Sequence, residues 1–198
     1  MGDEPNDAPT AAEVRIREAT IGEPERLDGV IELRPYDPQW PEQFRAEADR
    51  VCSALGARAL RVEHVGSTSV PGLVAKPIID MLLVVADSSD EAGYVPPMES
   101  AGYTLRIREP DWYEHRLFKA PLANVNLHVF SASCPEITRM LDFRDRLRAD
   151  AEDRELYQRT KQQLASRQWR FVQEYADAKT QVIEAIVTRA SRPRSDAR

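Results

Sequence analysis

The chain has 198 residues, 42% hydrophobic and 30% charged, a composition typical of a globular protein with a single core. Its formal net charge of −6 argues against nonspecific nucleic-acid binding, because phosphate backbones attract clustered Lys and Arg. Neither cysteine lies in a CxxC or CxxH motif and no segment approaches the roughly 18 apolar residues of a membrane span, so we expect a cytoplasmic protein with reduced thiols and no membrane association.

We predict unstructured tails at both ends of the chain. Residues 1–29 are acidic and contain few large apolar side chains, so folding would bury too little surface to offset its entropic cost. Residues 191–198 are polar with alternating charge. Between the tails we expect one domain over 30–190, with a sheet core over about 30–133 and helices over about 135–190.

The first half of this domain alternates strand and helix patterns. Val30–Arg34 predicts an opening strand, and the apolar positions that follow Trp40 recur at helical spacing until Gly56. Further strands are then predicted over 61–65, 77–85 and 103–108, with a helix within 90–102.

Two later strands alternate in polarity, and alternation assigns side chains to the faces of a sheet. Residues 124–130 present Asn126 and His128 on one polar face, which is a candidate wall of a site. In the preceding strand, Arg116 and Lys119 lie on opposite faces.

The last third of the domain reads as helical. After Pro135, apolar residues recur at helical steps between charged ones, which predicts two or three helices. The pattern Tyr-x-x-x-Lys occurs twice, as Tyr157 with Lys161 and as Tyr175 with Lys179. A spacing of four residues places each Tyr beside its Lys on one helix face.

Residues 61–85 contain the candidate site. An apolar strand ends there in Gly66-Ser67, where a glycine lets a ligand approach the backbone while N–H groups and a hydroxyl can hold phosphate oxygens. Thr68 and Lys76 follow in the same loop and would add a hydroxyl and a cation. The alternative is a polar turn without a ligand.

Asp80 interrupts a strand whose two faces are otherwise apolar. An ionised carboxylate in that setting needs a cation, a metal ion or several hydrogen-bond donors. A binding or catalytic site would supply these groups. The alternative is a structural ion pair, formed with Lys76 or with an Arg of the helices.

The three histidines, His64, His115 and His128, all fall in the strand-rich half of the chain. If they converged, they would suit a metal or phosphate pocket. The alternative is that each is a surface or hydrogen-bonded core residue, and their spacings match neither HxH nor HExxH.

Further cations could hold phosphate in such a pocket. Arg116, Lys119 and Arg144 are the candidates, since the guanidinium fork of Arg matches phosphate oxygens. For Arg144 the alternative is a solvated, charged helix face.

The segment HVGSTSVPGLVAKPIIDMLLVV resembles the signature of the GrpB family, uncharacterised proteins placed within the nucleotidyltransferase superfamily. The resemblance extends through HRLFK, LHVF, FRD with LR, and both Tyr/Lys pairs, and it covers about residues 31–187. It implies an α+β fold: a nucleotidyltransferase-like mixed β-sheet flanked by helices, with a helical C-terminal part.

In that superfamily a Gly-Ser motif holds triphosphate, and carboxylates on the following strands bind two divalent ions that activate an attacking hydroxyl. By this resemblance Gly66 and Ser67 match the Gly-Ser element and Asp80 matches the first carboxylate. Leu82 occupies the position of the second acid and His128 that of the third. The usual two-ion site is therefore absent from the sequence.

The resemblance leads to a set of expected roles. Asp80 and His128 are expected to be catalytic, and His64, Asp80 and His128 to bind one Mg²⁺ or Mn²⁺ ion. The expected nucleotide-binding residues are Gly66, Ser67, Thr68, Lys76, Arg116, Lys119 and Arg144.

Three functions are consistent with these residues. The first is a nucleotidyltransferase that binds a nucleoside triphosphate and acts on an unidentified acceptor. The second, favoured by Leu82, is a catalytically lapsed module that binds a nucleotide or another anion. The third is an interaction protein that uses its charged helices.

Overall fold

A computed structural model of the protein describes residues 10–120 and 124–190. Its strands are β1 (Arg26–Gly29), β2 (Arg61–Val65), β3 (Ile79–Val85), β4 (Thr104–Glu109), β5 (His115–Lys119), β6 (Val125–Ser131) and β7 (Trp169–Phe171). Its helices are α1 (Ala11–Ala19), α2 (Trp40–Leu55), α3 (Val95–Ser100), α4 (Pro135–Ala149), α5 (Ala151–Ala165), α6 (Val172–Asp177) and α7 (Thr180–Ala190).

Five of the strands form one mixed sheet in the order β2-β3-β6-β5-β4. The β3–β6 pair is parallel and the other three pairs are antiparallel. Strands β1 and β7 form a separate two-stranded sheet. The prediction of an α+β fold, with a mixed sheet flanked by helices and a helical C-terminal part, is confirmed.

One face of the large sheet is apolar along its length and packs against α2 and α3. Met81 and Leu83 of β3 and Leu127 of β6 lie on this face and are fully buried. They share a hydrophobic cluster with Val51 of α2 and Met98 of α3. Burial of each such side chain contributes about 1.5–3 kcal/mol, so this face holds the sheet in place.

The opposite face divides into an apolar end and a polar end. At the apolar end, Leu82 and Phe130 pack against Ile137 of α4. Two residues back along each strand, Asp80 of β3 and Asn126 of β6 are partners in register and lie on the same face. Helix α4 covers the apolar end, and side chains from the later helices reach the polar end.

The loop between β2 and β3 is held by the C-terminal helices. Val70 and Leu73 of this loop cluster with Tyr157 of α5 and Ile186 of α7. Arg148 of α4 donates to the Ser69 carbonyl from Nε at 3.0 Å and from Nη2 at 2.8 Å. These contacts place α5 beside the loop that carries Gly66-Ser67.

The prediction that residues 1–29 are unstructured is wrong for α1 and β1. Thr10 and Glu13 form a capping box at the start of α1: Glu13 N–H donates to Thr10 Oγ1 at 3.2 Å, and Thr10 N–H donates to Glu13 Oε2 at 2.9 Å. Strand β1 pairs with β7, far away in sequence. Composition underestimated this segment because local capping and a distant strand supply its order.

The predicted opening strand Val30–Arg34 is also wrong. Arg34 makes only an isolated bridge, in which its N–H donates to the Ala75 carbonyl at 2.8 Å. Ile31 packs instead against Leu164 and Tyr175. The apolar pattern was that of an extended segment whose partner is helix α5.

The helix predicted within 90–102 is split in two. A 3-10 turn at Glu91–Gly93 precedes α3, which begins at Val95. Pro96 and Pro97 lie in the first turn of α3, where a missing N–H costs no hydrogen bond.

The region after Pro135 holds four helices, one more than the largest number predicted, and the short strand β7. None of the helices within 10–120 and 124–190 has the length and apolar character that crossing a bilayer requires. The predictions for residues 1–9 and for the tail at 191–198 lie outside the described residues.

Candidate functional site

Gly66 lies directly against the carboxylate of Asp80. Its φ of +67° falls in the left-handed region, and a Cβ at this position would stand 2.4 Å from Asp80 Oδ2 and 2.8 Å from Asp80 Cβ. On the other side, Asn126 Nδ2 donates to Asp80 Oδ1 at 2.8 Å. A glycine is therefore required here by conformation and by space.

Ser67, the next residue, contacts a buried ammonium group. Lys161 of α5 donates from Nζ to Ser67 Oγ at 3.0 Å and also to the Val74 carbonyl. The Lys161 side chain is 1% exposed, and its Nζ lies 4.8 Å from the centre of the Tyr157 ring. The serine hydroxyl and the ammonium group therefore form one polar unit at the end of β2.

A second ammonium group lies near the first. Lys179, between α6 and α7, lies over the Tyr175 ring at 4.4 Å. It forms no hydrogen bond or salt bridge with any residue of the described part of the chain. Its charge therefore remains available to an anion.

Asp80 is the focus of every lysine in the chain. The four, Lys76, Lys119, Lys161 and Lys179, each interact electrostatically with its carboxylate. The other basic residues among the 27 Lys and Arg are all arginines. The site therefore contains one carboxylate and four ammonium groups, of which Lys119 also contacts Glu25 Oε2 at 3.5 Å.

Burial makes these groups easier to neutralise. It lowers the pKa of Lys161 to about 7, with repulsion from Lys179 acting in the same direction. It lowers the pKa of Lys179 to about 8, which Asp80 opposes, and it also lowers the pKa of Lys76. Burial raises the pKa of Asp80, although the Asn126 hydrogen bond and the lysines oppose this shift. An added anion would stabilise the charged form of each lysine.

Two buried polar atoms beside these groups have no hydrogen-bond partner among residues 10–120 and 124–190. They are Asn126 Oδ1 and the Tyr175 hydroxyl. Asn126 holds Asp80 through its other amide atom, and Tyr175 carries Lys179 over its ring. Such unpaired groups are uncommon in protein interiors and often belong to functional sites.

Lys161 and Lys179 were missed as site residues by the sequence interpretation. The available signal was the doubled Tyr-x-x-x-Lys pattern, which predicted that each Lys lies beside its Tyr. Both cation–aromatic contacts occur. The pattern alone did not indicate that both pairs face the loop between β2 and β3.

Of the predicted nucleotide-binding residues, Gly66, Ser67, Lys76 and Lys119 lie around Asp80. Thr68 does not, because its hydroxyl is used within the fold. Thr68 Oγ1 donates to the Ile78 carbonyl at 3.1 Å and lies 3.1 Å from His64 Nε2.

The predicted convergence of His64, Asp80 and His128 on a metal ion is wrong. His64 pairs in register with Met81 on the opposite face of the sheet from Asp80, and its ring stacks on Phe44 at 4.7 Å. No group of three His, Cys, Asp or Glu residues that could hold a metal ion occurs in the described ranges. These side chains do not fit a resident metal centre.

His128 shares the face of Asp80 but pairs in register with Leu82, one step further along the sheet. Its Nδ1 lies 3.0 Å from His115 Nε2, and His115 Nδ1 lies 2.6 Å from Glu109 Oε2. Burial lowers the pKa of His128 to about 3, with help from His115, so the ring is neutral at pH 7. No hydrogen bond joins His128 to Asp80 in the described part of the chain.

Arg116 is not a phosphate ligand as predicted. It pairs in register with Val129 on the apolar face, away from Asp80. Its Nε donates to Glu91 Oε1 at 2.6 Å, and its Nη1 lies 3.3 Å from Glu114 Oε2. Alternation correctly separated it from Lys119, and only Lys119 faces the site.

Arg144 is likewise used in the fold. Its Nη1 donates to Glu63 Oε2 at 2.7 Å and to the His64 carbonyl at 3.1 Å, and its Nε donates to Asp145 Oδ1 at 2.7 Å. The side chain is 10% exposed. Arg144 therefore ties α4 to the edge strand β2.

We expect Arg144→Met to lower the free energy of unfolding by about 3 kcal/mol, because it leaves a partly buried carboxylate without its partner. Arg144 and Arg61 hold the pKa of Glu63 below its ordinary 4.5 even though burial alone would raise it. That contribution is present above pH 4.5 and is lost as the pH falls, so the difference from wild type should shrink in acid.

Urea unfolding at pH 7 and at pH 4 measures both effects of Arg144→Met. The matched control is Arg159→Met, since Arg159 and Glu155 form an exposed pair at 3.0 Å. It should change stability by less than about 0.5 kcal/mol. Equal losses in the two variants would contradict the structural role of Arg144.

Comparison with known proteins places this site in a family. The family model described as GrpB protein matches residues 30–189. The chain belongs to the GrpB family. A UPF0157 protein of Halalkalibacterium halodurans is 56% identical over 191 residues, which cover 96% of this chain and 97% of that protein.

Solved structures agree with the family assignment. The crystal structure of the conserved protein GrpB from Enterococcus faecalis matches with a TM-score of 0.67 at 33% identity, covering 80% of this chain and 96% of that one. The Cid1 poly(U) polymerase matches weakly, with a TM-score of 0.43 at 12% identity over 66% of this chain and 45% of that chain. No argument rests on the weak match.

Proposed function

We propose that this GrpB family member binds the phosphate groups of a nucleoside triphosphate at Ser67, Lys161 and Lys179, as a nucleotidyltransferase-like protein. The observation that carries the proposal is the 3.0 Å contact between the buried Lys161 ammonium and Ser67 Oγ, immediately after Gly66. A hydroxyl and an ammonium group at the end of a strand are donors that phosphate oxygens accept.

The charge balance of the site supports an anionic ligand. Ammonium groups taken out of water at low pKa are costly unless an anion compensates them. Asp80 supplies one negative charge against Lys161, Lys179 and Lys76. A triphosphate would supply the remainder, so lysines would carry much of the neutralisation that two metal ions provide elsewhere in the superfamily.

As an enzyme, the protein would transfer a nucleotidyl or phosphoryl group to an unidentified acceptor. A Mg²⁺ or Mn²⁺ ion would arrive with the nucleotide, with Asp80 as its one nearby protein carboxylate. The second candidate is an anion-binding module without turnover. It is favoured by Leu82 at the position of the second acid and by the dispersal of the three predicted metal ligands.

Calorimetric titration with the four common nucleoside triphosphates and with inorganic triphosphate tests the binding, each with and without Mg²⁺ or Mn²⁺. A ligand at 100 times its Kd stabilises the folded state by about 2.7 kcal/mol, which raises Tm by about 5–10 °C in a chain of this size. No heat and no shift in Tm with any of these ligands would contradict the proposal. Label transfer from the α- or γ-phosphate separates the enzyme from the binding module.

We expect Asp80→Asn to tighten metal-free binding of inorganic triphosphate about tenfold, because it removes a like charge from beside the phosphates while keeping the shape of the side chain. Any turnover with Mg²⁺ should be lost. Titration in the presence of EDTA measures the first effect, and label transfer the second.

Asp87→Asn is the matched control for Asp80→Asn. Asp87 follows the same strand, but its carboxylate is held by Ser89 away from the lysines. It should leave triphosphate binding unchanged. Weaker metal-free binding in Asp80→Asn would show that Asp80 attracts the ligand instead of repelling it.

A further inference from the structure

A second cleft lies at the β2 edge of the sheet, and the proposed phosphate site does not use it. It has a volume of about 510 Å³ and lies between the β2–β3 loop, the start of α2 and the junction of α4 with α5. That volume is in the range of small-molecule sites. Its wall includes His64, Ser69, Arg148 and Arg154.

The cleft is positively charged in a protein of net charge −6. Arg148 and Arg154 line it, and its lining includes no Asp or Glu from the described residues. Arg154 Nη1 donates to the carbonyls of Leu147 at 3.0 Å and of Arg148 at 3.3 Å, and Arg154 forms no ion pair with the rest of the described chain. The nearest carboxylate contact of Arg148 is Asp145 Oδ1, at 3.5 Å.

Both guanidinium groups are held in place by backbone carbonyls. Arg148 uses Nε and Nη2 for the Ser69 carbonyl, and Arg154 uses Nη1 as described, so donors on each group remain. Burial and the neighbouring Arg144 lower the pKa of Arg148, which reflects a positive local field. Two preorganised guanidinium groups suit a phosphate dianion, which they can bind with paired N–H donors.

The rest of the cleft offers flat, mostly apolar surfaces. Tyr36 is fixed by an edge contact with Trp40, at 5.4 Å between ring centres. His64 is stacked on Phe44, and burial lowers its pKa to about 4, so its ring is neutral at pH 7. Rings of this kind pack against planar ligand groups.

We propose that this cleft is a second ligand site that takes a phosphate monoester carrying a flat ring, with its phosphate on Arg148 and Arg154 and its ring beside Tyr36. The inference does not depend on the proposed triphosphate site. The two sites share one turn, because Ser69 lines the cleft and Ser67 contacts Lys161.

Phenyl phosphate is the probe, titrated by calorimetry or by ligand-observed NMR in the absence and presence of saturating inorganic triphosphate. We expect it to bind at millimolar concentration alongside triphosphate. Arg154→Gln should weaken this binding at least about tenfold, since it removes a charge-assisted hydrogen bond. Tyr36→Leu should weaken phenyl phosphate but leave inorganic phosphate unchanged, and Lys179→Met should affect neither.

Three results would overturn the second site: no binding of phenyl phosphate, its displacement by triphosphate, or unchanged affinity in the cleft variants. If Arg154→Gln does not fold, Tyr36→Leu decides alone. Benzoate that binds as tightly as phenyl phosphate would overturn the assignment to a phosphate. Loss of triphosphate binding with phenyl phosphate binding intact would overturn the proposed function and leave this inference standing.

Discussion

Lys161→Met should abolish triphosphate binding and reverse the pH dependence that this lysine gives to stability. The folded protein holds Lys161 at a pKa of about 7, against an ordinary value of 10.5. Between those values the unfolded chain binds a proton that the folded chain does not, so wild-type stability rises with pH. The wild type should therefore gain on the Met variant by about 1.4 kcal/mol per pH unit in this window.

Denaturant unfolding of both proteins at several pH values from 6 to 10 measures this difference. Below pH 7 the two curves should run parallel, because Lys161 is then protonated in both states. In Lys179→Met the same divergence should begin one unit higher, since the pKa of Lys179 is about 8. Arg159→Met, at an exposed pair, should show no divergence.

The outcome for binding is separate from that for stability. Met keeps the length and the apolar stem of Lys161 but cannot donate to Ser67 Oγ or to a phosphate. Triphosphate affinity should fall at least about a hundredfold, the value of two charge-assisted hydrogen bonds. A Lys161→Met protein that binds triphosphate as wild type does would contradict the proposed function, whatever its pH profile.

Gly66→Ala should destabilise the protein and disable the site. The new Cβ would stand 2.4 Å from Asp80 Oδ2, so the carboxylate or the turn must move, and a φ of +67° is unfavourable for Ala. The conformational cost is about 1–2 kcal/mol and overpacking adds about 1–3 kcal/mol. A loss near the middle of this range lowers Tm by about 6–12 °C.

Gly72→Ala separates the two causes. Gly72 lies in the same loop with a φ of +78°, but a Cβ there would meet no atom within 4 Å. It should show the conformational cost alone, about 1–2 kcal/mol, and keep triphosphate binding. Thermal unfolding and calorimetric titration of the pair measure both effects. Equal losses of stability and binding would mean that the contact with Asp80 is unimportant.

The sequence predicted the parts of the fold that depend on local pattern. Strands β2, β3 and β6 were found because β-branched and apolar residues recur there within short segments. Val30–Arg34 carried the same kind of pattern but packs beside α5, because an apolar extended segment does not reveal whether its partner is a strand or a helix. The order of β1 depends on β7, which no local pattern indicates.

The candidate site was predicted in the same uneven way. Gly66, Ser67 and Asp80 come from two adjacent strands, so one motif contained them all. Lys161 reaches Ser67 from α5, across 94 positions of sequence, and only tertiary packing brings it there. Arg144 and Arg116 carry the same charge as a phosphate ligand, but each has carboxylates already in contact, which residue type alone cannot disclose.

The concentration of all four lysines around Asp80 gives the site a chemical handle. Amine-directed reagents react with the neutral form of lysine, and burial increases that form for Lys161 and Lys179 at mild pH. Arginine, which supplies every other basic side chain, does not react with them. Apart from the terminal amine, acylation followed by peptide mass mapping would therefore modify this site alone, and a ligand that protects it could be found without knowing its identity.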